Sequence, residues 1–268
     1  MVGIGLEDEK LVRRWMEKGP VTLEFEIQNR VSGPTTVSNV VAEIRGRERA
    51  DEWILIGAHL DSWDFGTGAQ DNGSGVAQVL EAARVLAATG EAPRRSIRFA
   101  LWAGEEQGIL GSLAYARAHS SELGKCVAVL NTDNGAGHPR GWKVEGNEGL
   151  RRGMKEVSVL LAGLGGDGLS DEATFDTDHG PFMLEGIPSL DLWVDMSRYF
   201  EIHHKASDTY DKVNRHSLAA GAAIIGVTAY VIAERAEPIA PHLNHAAVEE
   251  ILKKAKLDAG LKELGVWK

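Results

Sequence analysis

The sequence predicts an α/β protein, a three-layer sandwich in which helices flank a mixed, largely parallel central sheet. Three observations carry this reading. Short continuous apolar runs such as "EWILIGAH" (52–59) are the mark of strands buried on both faces. They alternate along the chain with segments whose apolar residues recur at helical spacing, the pattern of parallel strands joined by crossover helices. The length of 268 residues, with 43% hydrophobic and 25% charged, suits an α/β domain with a large sheet.

The elements follow in order. "VTLEFEIQ" (21–28) and "TTVSNVVAEIRG" (35–46) alternate apolar and polar residues, which predicts two half-buried strands at the antiparallel edge of the sheet, with "SGPTT" as the turn. "EWILIGAH" is the first buried strand. After "DNGSG", Val76, Val79, Leu80, Ala83, Leu86 and Ala87 mark a helix that Gly90 ends. "SIRFALWAG" (96–104) is a second buried strand, "GILGSLAYARAH" (108–119) a helix, and "KCVAVLNTD" (125–133) a third strand. "NEGLRRGMKEVSVLLAG" (147–163) reads as a helix and "IPSLDLWVD" (187–195) as a strand. Residues 214–236 form a long, well-buried helix, and 244–265, set off by Pro238 and Pro241, a terminal helix or helix pair.

Composition excludes several functions. A net charge of −10 argues against nucleic acid or anionic lipid as a partner. The one cysteine, Cys126, lies in the apolar run "CVAVL" and is expected in the core, with no intrachain disulfide. No run approaches the length of a charge-free membrane span, so no membrane partner is expected. The start, "MVGIGLEDEK", lacks the pattern of a signal peptide, and the chain itself leaves localisation unknown.

Chemistry gathers where the strands end. In open α/β sheets, sites form beyond the carboxyl ends of the strands. The first buried strand ends at His59, the second runs into "AGEEQG" with Glu105 and Glu106, and the third ends in "NTD" with Asp133. Asp71 precedes a helix, and "HH" (203–204) sits in a loop. Each feature has a plain alternative: "EE" is usually a solvated helix start, a strand-end His or Asp a cap, and "DNGSG" a turn with an N-cap. Together they are imidazole and carboxylate donors fit for zinc or a similar divalent ion. Two histidines and three carboxylates exceed the ligands one zinc takes, and sharing one carboxylate between two ions resolves the excess. A remaining carboxylate beside a ligand is then a general base.

The segment "GAHLDSWDFGTGAQDNGSG", with "GEE", "NTD", "FDTDHGPFMLEGIPSL" and "HHKASDTYD", resembles the co-catalytic zinc exopeptidases, the group of leucyl aminopeptidases, glutamate carboxypeptidase II and carboxypeptidase Q, and most of all its carboxypeptidase Q-like bacterial members. The resemblance implies the zinc-exopeptidase fold and two divalent ions per chain, most often Zn2+. It assigns His59, Asp133 and a bridging Asp71 to one ion, and Glu106, Asp71 and His204 to the other. His204, four residues before Asp208 of the "DT" pair, is taken as the ligand, and His203 as a flanking or substrate-side group. Glu105 matches the general base that takes a proton from a bridging water, and Asp61 the catalytic carboxylate that orients the His59 ring. Asp178 is expected to orient a loop near the site, His179 to be either structural or near substrate, and Tyr199 to donate to the tetrahedral intermediate. Asp64 is expected to hold its loop through backbone amides. A cis peptide bond is expected between Asp71 and Asn72.

The implied activity is hydrolysis of short peptides by an aminopeptidase or dipeptidase, or else a carboxypeptidase, in a chain for which a homodimer is also open. The alternatives are a single-zinc glutaminyl-cyclase-like transferase and a metal-free receptor or scaffold domain; His59 and Asp133 speak against the first, the intact ligand set against the second. Residues 1–34 resemble the segment that follows a protease-associated domain, with 35–268 as the catalytic domain, and full-length relatives point to a secreted or periplasmic location.

Overall fold

A period of two decides how the sheet is covered. Along Arg49–His59, Ile54, Ile56 and Ala58 face one core cluster while Trp53 and Leu55 face another, and none is more than 1% exposed. A strand buried this way needs a layer on each face. The computed structural model describes residues 4–28, 30 and 32–268. The chain divides into two compact units, Met1–Thr36 and Val37–Lys268.

The first unit contains α1 (Leu6–Met16). In chain order the second holds β1 (Val40–Ile44), β2 (Arg49–His59), α2 (Ser74–Ala88), β3 (Arg95–Trp102), α3 (Leu110–Ala118), β4 (Cys126–Asn131), β5 (Pro139–Lys143), α4 (Glu148–Leu161), β6 (Gly168–Ser170), α5 (Gly180–Leu184), β7 (Ser189–Val194), α6 (Tyr199–Ile202), α7 (Arg215–Glu234), α8 (His245–Ala255) and α9 (Asp258–Glu263). The sheet order is β1-β3-β2-β4-β7-β5-β6. β2 runs parallel to β3 and β4, β4 to β7, and β5 to β6, while β1–β3 and β5–β7 are antiparallel. The mixed, largely parallel sheet is therefore present, with β1 as its antiparallel edge. Residues of α2, α4 and α7 fill one core cluster; Tyr115 of α3 and Phe182 of α5 join the other. Because β3, β2 and β4 are parallel neighbours, their carboxyl ends share one edge of the sheet, and His59, Gly104–Glu106 and Asp133 emerge there together.

α7 is long and apolar enough to cross a membrane by composition, yet half of it is buried against α2 and the sheet. It is the core helix expected from its sequence, and its start is fixed by Asn214, whose side-chain oxygen accepts from the N–H groups of His216 and Ser217.

Some elements differ from the sequence reading. Residues 21–28 form no strand: they lie in the first unit, where the described residues include no strand to pair with, and Leu23, Phe25 and Ile27 are exposed. Alternation suits a strand, but a ladder partner makes one. The second predicted strand shortens to Val40–Ile44. β5 was not readable, because "PRGWK" carries a proline, a glycine and no β-branched residue. Tertiary packing makes it a strand: it pairs with β6 and β7, and the fully buried Trp142 donates its indole N–H to Thr228 of α7 at 3.1 Å. The segment 244–265 resolves as the pair α8 and α9.

Candidate metal centre

Four chain segments meet at the carboxyl edge of the sheet. His59 is the last residue of β2 and is 1% exposed. Its Nδ1 lies 2.9 Å from the main-chain carbonyl of Asp61. A carbonyl only accepts, so Nδ1 carries a proton, and when the ring is neutral Nε2 presents its lone pair, the form a metal requires. That Nε2 lies 2.9 Å from Asp133 Oδ1 and 3.1 Å from Asp71 Oδ1. On the other oxygen of the same carboxylate, Asp71 Oδ2 lies 3.2 Å from His204 Nε2, which in turn is 3.0 Å from Glu106 Oε2. The five expected ligands thus converge as two sets sharing Asp71.

The neighbours of Asp71 hold it in place. The peptide bond Asp71–Asn72 is cis. Asn72 donates to the carbonyl of Thr132 at 2.9 Å and accepts from Gly75 N at 2.9 Å. A side chain at Gly75 would meet Asn72 Oδ1 at 2.2 Å and Thr132 O at 2.5 Å, so only glycine lets α2 begin this close. His204 has φ +57°, the left-handed region that non-glycine residues seldom occupy and that clusters at functional sites.

The electrostatics describe a site short of positive charge. Burial, and then the charge of Asp133, push Glu105 up to about 9. Burial, and then Asp71, push Glu106 up to about 7. Burial acts to lower His59, but Asp133 and Asp71 outweigh it and push the ring up to about 12. With protein groups alone, the proton on His59 does the work of a cation. A divalent ion reverses this logic, ionising the glutamates and freeing the imidazole. Asp71 Oδ2 is buried and accepts no well-formed hydrogen bond, a costly state unless a cation faces it. The donor set, the His59 tautomer and this orphaned oxygen all fit divalent metal.

Several residues play parts other than those expected. The carboxylate of Asp61 does not orient His59: its Oδ1 is 3.9 Å from Nδ1, and the main-chain carbonyl does that work. The carboxylate instead accepts from the N–H groups of Gly104 (2.8 Å), Glu105 (3.1 Å) and Glu106 (3.2 Å), pinning the segment that carries the two glutamates. Asp64 is exposed and makes none of its expected backbone bonds among the described residues. His179 is fully buried, with Nε2 3.2 Å from the Thr174 carbonyl and 3.4 Å from Glu145, and offers no exposed surface. Asp178 is buried beside the centre, where burial pushes it up to about 7. Tyr199 is 9% exposed, and burial, followed by the charges of Asp133, Asp71 and Glu106, raises its phenol well above the usual range. It therefore stays protonated and able to donate. His203 stacks on His204 with ring centroids 3.6 Å apart and reaches within 3.4 Å of Asp71 Oδ2. Gln70, Asn134 and Tyr199 also line a cavity of about 550 Å³ with Arg198 and Lys212, one residue removed from Asp71 and Asp133.

Thr177 was missed. Its hydroxyl donates to Asp133 Oδ2 at 2.5 Å and accepts from Asn131 at 3.2 Å, leaving Asp133 Oδ1 to face His59. Thr177→Val keeps the shape and removes the hydroxyl. It is expected to weaken the ion on the His59 side about 10-fold or more, in line with other residues that orient ligands, while Thr177→Ser retains affinity; zinc titration of the stripped variants checks both.

Residues 39–229 match the profile of peptidase family M28. The chain is 33% identical over 235 residues to carboxypeptidase Q of Rattus norvegicus, covering 87% of this chain and 50% of the rat protein. It thus spans about half the length of the curated relatives it matches. Among solved structures it is similar to a peptidase M28 precursor from Shewanella amazonensis, with 37% identity, a TM-score of 0.72, and 77% of this chain and 47% of that one covered. It is also similar to a zinc aminopeptidase from Bacillus subtilis, with 27% identity, a TM-score of 0.61 and coverage of 77% and 53%. A glutaminyl cyclase from an Acidobacteriales bacterium shares the fold at 23% identity and a TM-score of 0.60, covering 74% of each chain.

Proposed function

The chain belongs to peptidase family M28, and from that premise we propose that it is a two-ion metallo-exopeptidase acting on short peptides, as an aminopeptidase or dipeptidase or, as a variant, a carboxypeptidase. The observation that carries the reading is the pair of ligand sets meeting on opposite oxygens of Asp71. His59, Asp133 and Asp71 Oδ1 would hold one ion; His204, Glu106 and Asp71 Oδ2 the other. When bound, the ions supply Lewis acidity that acidifies water and polarises a carbonyl.

The chain's own residues supply the rest. Glu105, whose Oε2 is 4.0 Å from His59 Nε2, lies beside the His59 set without belonging to it. It takes the proton of the attacking water and returns it to the leaving amine. Asp61 fixes it through the main chain of residues 104–106. Tyr199 and His203 stand on the substrate side as donors, and the adjoining cavity gives room for a substrate residue.

The test begins with metal. The stripped protein is titrated with zinc, then assayed on aminoacyl reporters, free dipeptides and N-blocked peptides. Two equivalents bound and cleavage of one of these classes is the expected result. One equivalent with cyclising activity would turn the reading to the glutaminyl-cyclase type, and no bound metal would make the chain a binding domain.

A further inference from the structure

Asp208 lies in the loop that presents His204 and is 3% exposed. Its carboxylate accepts two main-chain hydrogen bonds, from Gln70 N at 2.8 Å and from Asp71 N at 3.0 Å. Its main-chain carbonyl accepts two more, from Thr67 N at 2.9 Å and Thr67 Oγ1 at 3.0 Å. One residue therefore grips both ends of the segment 67–71 from 137 positions away in sequence. Hydrogen bonds to an ionised carboxylate are roughly twice as strong as neutral ones. Asp71 is then fixed on both sides, by Asp208 before it and by the Asn72 side chain after it.

We infer that Asp208 is a positioning residue that sets the bridging carboxylate of Asp71 against His204, so that one carboxylate serves both ions; the inference rests on the two-ion reading. Two further contacts join these segments, Gln70 Nε2 to the Lys212 carbonyl at 2.8 Å and the Trp63 ring against His204, but neither bonds Asp71 itself. Their ligand atoms approach to 3.2 Å, but both present lone pairs in the tautomer that leaves Nε2 free for metal, so contact alone does not bind them. Asp208 supplies the missing tie through backbone donors that no metal consumes.

Asp208→Asn tests this. Two converging N–H donors need two acceptors; an amide offers one and turns an N–H against the other. The probe is Co2+ added to the metal-stripped full chain, read by binding and by its visible spectrum, which reports coordination geometry. Wild type is expected to bind two Co2+. Asp208→Asn is expected to bind them about 10-fold or more weakly, with a shifted spectrum, and Asp208→Glu to recover part of both. A residue that only shapes the loop would change the melting temperature and leave the spectrum alone. If wild type binds two Co2+ and Asp208→Asn shows the same affinity and spectrum, Asp208 has no positioning role. If wild type binds fewer than two, the parent reading fails and this one with it. Should Asp208→Asn not fold, Thr67→Val loosens the same residue from its carbonyl side. It is then expected to show a smaller shift of the same kind, and an unchanged spectrum there overturns the inference.

Discussion

Glu105→Gln is expected to bind its full complement of metal and to lose at least ~10²-fold in kcat, the range for removing a general base. The geometry explains both halves. Glu105 lies outside the two ligand sets, and its main-chain N–H is held by Asp61 at 3.1 Å, so the amide takes the same place. An amide accepts no proton at neutral pH, and nothing else in the described residues stands where it does. Metal analysis and steady-state kinetics on the same preparation decide the matter. A variant with normal kcat would take Glu105 out of the proton path; one that had lost metal would make it a ligand.

Asp71→Asn is expected to weaken both ions together, each by at least ~10²-fold, since even residues one step behind a ligand cost 10–100-fold. Its two oxygens face different partners, His59 on Oδ1 and His204 on Oδ2. The amide leaves one acceptor and places a donor toward the other cation. Isothermal titration with zinc separates the possibilities: two weak sites support the shared carboxylate, and one site of undiminished affinity would show that it is not shared.

Part of the candidate site was legible because four of its residues stand where an apolar run stops. His59, Glu105, Glu106 and Asp133 follow strands whose residues have no other business with charge, and the sheet order then places three of those ends side by side. Function at the level of atoms was not legible. Asp61 was picked out by its spacing from His59, but spacing does not say that its carbonyl meets the ring while its carboxylate turns to residues 104–106. Thr177 and Asp208 act across 44 and 137 positions, and in sequence they are polar loop residues like many others. The misread strand at 21–28 and the unread β5 share one cause: a strand exists through its partners, and pairing is a property of the folded chain.

The candidate ligands are spread along the chain, from His59 at the end of β2 to His204 in a loop beyond β7, and that spread bears on assembly. One half of the cage can be drawn only after β4 has docked beside β2, and the other half only after β3 has docked on the far side of β2 and the chain past β7 has folded back over Asp71. On the two-ion reading, metal is expected to join a scaffold whose strands have already paired, a latch closed on a finished frame.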